Sequence, residues 1–241
     1  MTKAPALHLR GTHRIDGQRL FGPIDVVFPA QQWTCVLGRS GVGKSTLLRL
    51  IAGLPCAGIF DGQITASDST AIAERTCVMA QSDLLLPWLS ILENTVLGAR
   101  LRGEIPDLNR AEALLERVGL SRHKHKKPEA LSGGMRQRTA LARTLMEDRC
   151  IALLDEPFSA LDASTRADMQ ELAAEVLADK TVLLVTHDPA EAVRLGNQII
   201  VLTPEAALFW PTPNHEPIRD QYDPQTVASQ ADLLTHLRQT S

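Results

Sequence analysis

Gly38-Arg39-Ser40-Gly41-Val42-Gly43-Lys44-Ser45 fits G-x-x-x-x-G-K-[ST] without a mismatch. This order has a physical reason. Glycines let consecutive backbone N–H groups curl around a polyphosphate, and a helix N-terminus behind them adds the positive end of its dipole. Lys44 is placed to reach terminal phosphates, Ser45 to ligate a divalent cation such as Mg²⁺, and Thr46 to help hold the innermost phosphate. The context agrees: the apolar run Trp33–Leu37 precedes the loop, and residues 45–53, rich in Leu and Ile, follow it as a predicted helix.

Two more groups of residues carry chemistry. Ile151-Ala152-Leu153-Leu154-Asp155-Glu156 is an apolar strand ending in two carboxylates. In parallel sheets ligands lie off the carboxyl ends of the strands, so Asp155 is placed to reach the cation and Glu156 to take a proton from an attacking water. Leu131-Ser132-Gly133-Gly134-Met135-Arg136-Gln137 puts a serine N-cap and two glycines at a predicted helix start, a second set of backbone donors for an anion. One chain thus holds two phosphate grips.

Composition narrows what these groups serve. The 241 residues carry 25 Lys and Arg against 28 Asp and Glu, a net charge of −3, which argues against nucleic acid as the main partner. Aromatics at 4% imply an aliphatic core and no base-stacking platform. The longest stretch free of charge and histidine, Val26–Gly38, contains Pro29, Gln31 and Gln32 and falls short of the roughly 20 apolar residues of a membrane span. Met1-Thr2-Lys3-Ala4-Pro5 lacks the apolar segment of a secretory leader, so the chain by itself is expected neither to be secreted nor to span a membrane. Cys35, Cys56, Cys77 and Cys150 show no metal-like spacing and read as buried hydrophobes.

The elements that must position these residues are legible as strands alternating with helices. Short strands with turns at Asp16-Gly17 and Gly22-Pro23 open the chain, and Arg75–Ala80 is a further strand. The pattern is helical from Leu84 to about Met146, with Asp107 as an N-cap and Gly119 as a stop. Strand Ile151–Leu154, helix Thr165–Leu177, strand Thr181–Thr186, a short helix from Pro189 and strand Gln198–Leu202 follow. The alternation predicts an α/β protein with a mostly parallel sheet. The last 35 or so residues, with Pro204, Pro211, Pro213 and Pro217, read as an irregular tail ending in a short helix. His123-Lys124-His125-Lys126-Lys127 reads as a solvated basic loop.

Over about residues 7–203 the sequence resembles the ATP-binding subunit of ATP-binding cassette (ABC) transporters. Leu131–Gln137 is similar to the family's signature, Gln81 to its Q-loop glutamine, Ser159-Ala160-Leu161-Asp162 to its D-loop and His187 to its switch histidine. The resemblance implies a P-loop NTPase core with an N-terminal antiparallel β subdomain. It implies one ATPase domain over 1–205, with a helical signature subdomain inserted at about 84–145 and a tail at 206–241. It further implies two cassettes meeting head to tail over two ATP molecules, each P-loop facing the other's signature. Ser132, Gly133 and Gly134 would grip the γ-phosphate at the partner's Lys44. Gln81 would contact Mg²⁺ and the attacking water and sense a membrane partner, His187 would hold the γ-phosphate, and Asp162 would link the two sites.

The run after Gln81, Ser82-Asp83-Leu84-Leu85-Leu86-Pro87-Trp88-Leu89-Ser90-Ile91-Leu92-Glu93-Asn94, is similar to bacterial importers of nitrate, sulfonates, taurine and the thiamine pyrimidine precursor, as is the closing Pro217-Ile218-Arg219-Asp220. That likeness implies transmembrane permease subunits and, indirectly, a solute-binding protein as partners, with the cassette peripheral on the cytoplasmic face of the bacterial inner membrane. One element departs from the pattern. Where the family places an aromatic on the adenine, this chain has His13-Arg14-Ile15-Asp16, so weak adenine selectivity and a relatively high ATP Kd are expected. A scaffold-type ABC ATPase remains the alternative. A small-molecule kinase fits the P-loop but leaves Ser132–Gly134 and His187 without a role.

Overall fold

The structure is a computed structural model and describes residues 3–239. In chain order the elements are β1 Leu7–Ile15, β2 Gln18–Phe28, β3 Trp33–Leu37, α1 Lys44–Ile51, β4 Ile59–Ala66, β5 Thr76–Met79, α2 Ile91–Thr95, α3 Leu97–Leu101, α4 Leu108–Arg117, α5 Gly133–Met146, β6 Ile151–Asp155, α6 Ala163–Val176, β7 Thr181–Val185, α7 Pro189–Leu195, β8 Gln198–Leu202, β9 Ala207–Trp210 and α8 Pro224–Gln239. The described residues fall into two compact units: 3–76 with Cys150–Asp155 and 178–239, and Cys77–Arg149 with Glu156–Leu177.

The first unit holds two sheets. An antiparallel sheet runs β2-β1-β4. Its β1–β2 hairpin closes at Asp16-Gly17, both at positive φ (50° and 78°), with Ile15 opposite Gln18, as a two-residue primed turn requires. Gly22-Pro23, expected as a turn, lies inside β2 beside a register shift, and the two opening strands run to 9 and 11 residues rather than being short. The space is tight there: a Cβ on Gly22 would come within 2.6 Å of the Gly11 carbonyl oxygen.

The second sheet runs β6-β7-β3-β8-β9, parallel through β8, with β9 antiparallel to it. β3, β6 and β7 are buried at every position, which explains their unbroken apolar runs. The core lies between the sheets, with Phe21, Val26 and Phe28 of β2 clustering with Leu47, Leu48 and Ile51 of α1 and Ile151, Leu183 and Ile200 of the parallel strands.

The predicted irregular tail is instead β9, which pairs with β8 from Leu202↔Ala207 to Ile199↔Trp210, followed by the 16-residue α8. The prolines that suggested irregularity sit outside both elements. Arg219 fixes the tail: its guanidinium is buried and donates to the carbonyls of Val193 and Gly196 at the end of α7 (2.7 and 2.8 Å).

In the second unit α2, α4 and α5 pack on one another around Ile91, Leu114, Leu115, Leu141 and Leu145. Asp107 caps α4 by accepting from Arg110 N (2.9 Å), and Gly119 follows the helix at φ 70°. Residues 84–89 depart from the expected helix. Leu84 sits at φ 47°, and the Asn94 side chain closes the segment as a loop, accepting from Leu86 N and donating to the Leu86, Leu89 and Ser90 carbonyls. The basic run is used locally: the Lys124 and Lys126 carbonyls accept from Leu92 N and Ile91 N, and the Lys124 ammonium pairs with Glu112 at 2.7 Å. All four cysteines are free, and burial pushes the Cys35 thiol well above its ordinary pKa. Among the described residues no helix is long and apolar enough to cross a membrane.

Candidate functional site

In the first unit the glycine loop leaves β3 and turns directly into α1. Gly43 is the N-cap at φ 104°, a conformation costly for any residue with a Cβ. A Cβ there would also meet Phe21 and Leu20 at 2.7 and 2.8 Å. Lys44 is buried, and its ammonium donates back to the Gly38 and Arg39 carbonyls at 2.8 and 2.9 Å. The lysine thus holds the loop in its curled form and points along it. Ser45 is exposed in the first helical turn and Thr46 half-buried.

Strand register brings two more predicted residues to the same end of the sheet. Asp155 lies opposite Val185, and Val185 opposite Val36. The glycine loop, Asp155 and the Thr186-His187 turn therefore leave from the carboxyl ends of adjacent parallel strands, where such sheets bind ligands. Asp155 is buried, whereas His187 is exposed. The turn is pinned beneath: Thr186 Oγ1 donates to the buried Glu191 carboxylate (2.7 Å) and accepts from Asp188 N (3.0 Å), and Asp188 caps α7 through Ala190 N.

A cleft of about 670 Å³ adjoins the loop, lined by Arg19, Leu20, Gly38–Val42 and Val201–Glu205. It has no aromatic lining, in keeping with the sequence. His13, one of the residues standing where the family places its aromatic, is not available to stack on a base. It is fully buried, its ring stacks between Phe21 and Phe60 at 5.6 and 6.5 Å, and its Nε2 bonds the Ala57 carbonyl.

The second unit holds the remaining predicted residues. Gln81 Nε2 donates to the Glu156 carboxylate at 3.3 Å. Glu156 itself sits at φ 50°, a left-handed backbone rare outside glycine. Ser132 caps α5, its Oγ accepting from Met135 N, so the N–H groups of Gly133 and Gly134 open the helix, with Ser132 and Gly133 exposed and Gly134 half-buried. Asp162 is the N-cap of α6; its hydrogen bonds from the Thr165 N–H and hydroxyl hold its carboxyl below the ordinary range.

Three residues of α5 were given no side-chain role by sequence, although Arg136 and Gln137 close the signature-like segment. Arg136 pairs with Asp83 at 3.0 Å, and Arg143 donates to the Asp83 and Leu84 carbonyls, so the loop after Gln81 is tied to the signature helix. The buried Gln137 bonds the segment after Glu156. The signal was helical spacing: Arg136 and Arg143 lie seven apart, on one face. Beyond Asp83 the loop leaves Leu84 and Trp88 exposed, 62% and 65%.

A glycine loop opening a helix at the carboxyl edge of a parallel sheet defines a P-loop nucleotide-binding protein. Residues 21–159 match the family described as ABC transporter, and the chain belongs to that family as an ATP-hydrolysing cassette. It is 49% identical over 189 residues to an uncharacterized ABC transporter ATP-binding protein of Haemophilus influenzae, covering 78% of this chain and 77% of that one. It is 42% identical over 231 residues to an aliphatic sulfonates import ATP-binding protein of Rhodococcus jostii (94% and 91% covered) and 44% identical over 181 residues to that of Escherichia coli (74% and 69%). Among solved structures it is similar to a dimeric post-hydrolysis ATP-binding cassette bound to ADP and Pi, at 27% identity and TM-score 0.73, covering 89% of this chain and 99% of that one.

Proposed function

We propose that the chain is the ATP-hydrolysing motor of a bacterial ABC importer for a small solute, with aliphatic sulfonates the first class to test, as the names of its relatives suggest. The observation that carries this reading is the loop that begins at Gln81. One end bonds the Glu156 carboxylate, two arginines of α5 brace it, and it presents Leu84 and Trp88 to solvent. An exposed aromatic anchor on a braced loop suits docking by a permease helix.

The cassette spans 1–205 with its helical insertion at about 84–145, and 206–241 form the tail. Two copies meet head to tail. Lys44 and the loop N–H groups hold the phosphates of one ATP, and Ser132, Gly133 and Gly134 of the other copy close over its γ-phosphate. Ser45, Asp155 and Gln81 would hold Mg²⁺. They are hard oxygen donors, which suits a cation that completes its shell with phosphates and water. When bound, Mg²⁺ neutralises charge on the β- and γ-phosphates. Glu156 accepts a proton as the water oxygen bonds the γ-phosphorus and the bond to the ADP oxygen breaks. His187 holds the γ-phosphate, and Asp162 links the two sites.

The motor works peripherally on the cytoplasmic face of the inner membrane, with permease subunits as direct partners and a solute-binding protein as an indirect one. Co-expression with a candidate permease tests this. Co-purification that Trp88→Asp abolishes supports the reading, whereas a Trp88→Asp chain that still co-purifies and supports uptake overturns it.

A further inference from the structure

Gln137, buried on α5, has every polar atom of its amide engaged with the segment that follows Glu156. Its Nε2 donates to the Glu156 carbonyl at 2.9 Å and to Ser159 Oγ at 3.2 Å, and its Oε1 accepts from Ala160 N at 2.7 Å. Ser159 Oγ in turn donates to the Glu156 carbonyl at 3.1 Å. The clamped segment begins at a strained residue, because Glu156 is at φ 50°. A non-glycine residue in that region is strained and persists only where its surroundings over-determine it. Here the surroundings are one side chain bonding Glu156, Ser159 and Ala160 of the same turn. A buried amide so satisfied rigidifies its neighbours, because losing it leaves unpaired groups in low dielectric.

We infer that Gln137 is a positioning residue for hydrolysis: it holds the backbone of Glu156 so that the carboxylate meets Gln81 and the attacking water. This rests on the proposed role of Glu156 as base. The same amide holds the Ser159-Ala160 turn that leads to Asp162, and it stands on the helix that Ser132 caps. The signature end of the helix, which would serve the partner's nucleotide, is therefore tied through one turn of α5 to the base that serves the chain's own. Met at this position matches the length of Gln but provides no hydrogen bonds for the turn. Glu keeps the acceptor for Ala160 N but lacks the two donors.

The test is steady-state ATP hydrolysis by the full chain with Mg²⁺, together with ATP affinity and Tm. Gln137→Met is expected to lower kcat at least tenfold with KM and ATP Kd within twofold. It is also expected to cause no further loss in a Glu156→Gln background, since a residue acting only through the base is not additive with it. If Gln137→Met does not fold, Gln137→Glu is expected to give the same split between kcat and KM. Wild-type kcat in a folded Gln137 variant beside an inactive Glu156→Gln overturns the inference alone, as does a loss that multiplies in the double variant. Wild-type turnover in Glu156→Gln overturns the assignment of the base, and this inference with it.

Discussion

The Gln81 amide donates to the Glu156 carboxylate at 3.3 Å, although 75 positions separate them in the chain. The residue that begins the proposed permease-docking loop thus touches the proposed base. A movement of that loop would break this hydrogen bond. If the two residues work as such a pair, Gln81→Ala lowers kcat and weakens the dependence of hydrolysis on the permease. Equal stimulation by permease in variant and wild type would count against it.

Glu156→Gln is expected to lower turnover by about 10²–10⁴-fold, the usual worth of a positioned general base, while leaving ATP binding intact and stabilising the dimer. Size-exclusion chromatography with ATP and Mg²⁺ checks this. A variant that remains monomeric and hydrolyses normally refutes the role.

Lys44→Ala should act on binding instead. Its ammonium is held by the Gly38 and Arg39 carbonyls, close to where phosphates would lie. A hydrogen bond to a charged group is worth about 1.5–3 kcal/mol, so ATP affinity by calorimetry should fall by about 10–100-fold or more.

The cleft beside the loop has Arg19 and Leu20 on its wall but no aromatic ring. ATP and GTP should therefore compete within about tenfold of each other, as expected where neither a stacking surface nor a built hydrogen-bond pattern reads the base. His13→Ala should lower Tm without changing either affinity, because His13 is packed between Phe21 and Phe60. An affinity loss at unchanged Tm would restore His13 as a base platform.

Arg219→Met leaves the Val193 and Gly196 carbonyls without their buried donor. Each unpaired group costs about 1–3 kcal/mol, so Tm should drop clearly by calorimetry. An unchanged Tm would mean that the tail contributes nothing to the core.

Acid sensitivity follows from capping carboxylates. Glu93, Asp162 and Asp223 are held below their ordinary pKa, chiefly by backbone N–H donors from Ser90, Thr165 and Thr226. Folded values below the unfolded ones, about 3.9 for Asp and 4.3 for Glu, add stability that is present above the unfolded pKa and lost as pH falls through the folded value. Tm should be flat in this respect above about pH 5 and decline below about pH 4, and Asp162→Asn should make that decline shallower.

The sequence by itself determined the glycine loop, the helix caps and the apolar strands that carry the proposed site residues. The reason is local. A left-handed glycine before Lys44, a serine or aspartate cap at Ser132 and Asp107, and an apolar run ending in Asp155 encode their conformations within a few residues. The tertiary structure decided what depends on distant partners. β9 was hidden because a short strand such as Ala207–Trp210 exists only by pairing with β8, and nearby prolines suggested an irregular tail; the closing helix was expected, but not its 16-residue length. Leu84–Leu89 has helical composition, yet Asn94 and Arg143 close it as a loop. His13 looked available for a base until its ring was found between two phenylalanines. The Gln137 clamp and the Gln81–Glu156 bond are likewise tertiary facts: composition and spacing place each residue on its own element, but only packing sets one amide against the backbone of a base 19 positions on.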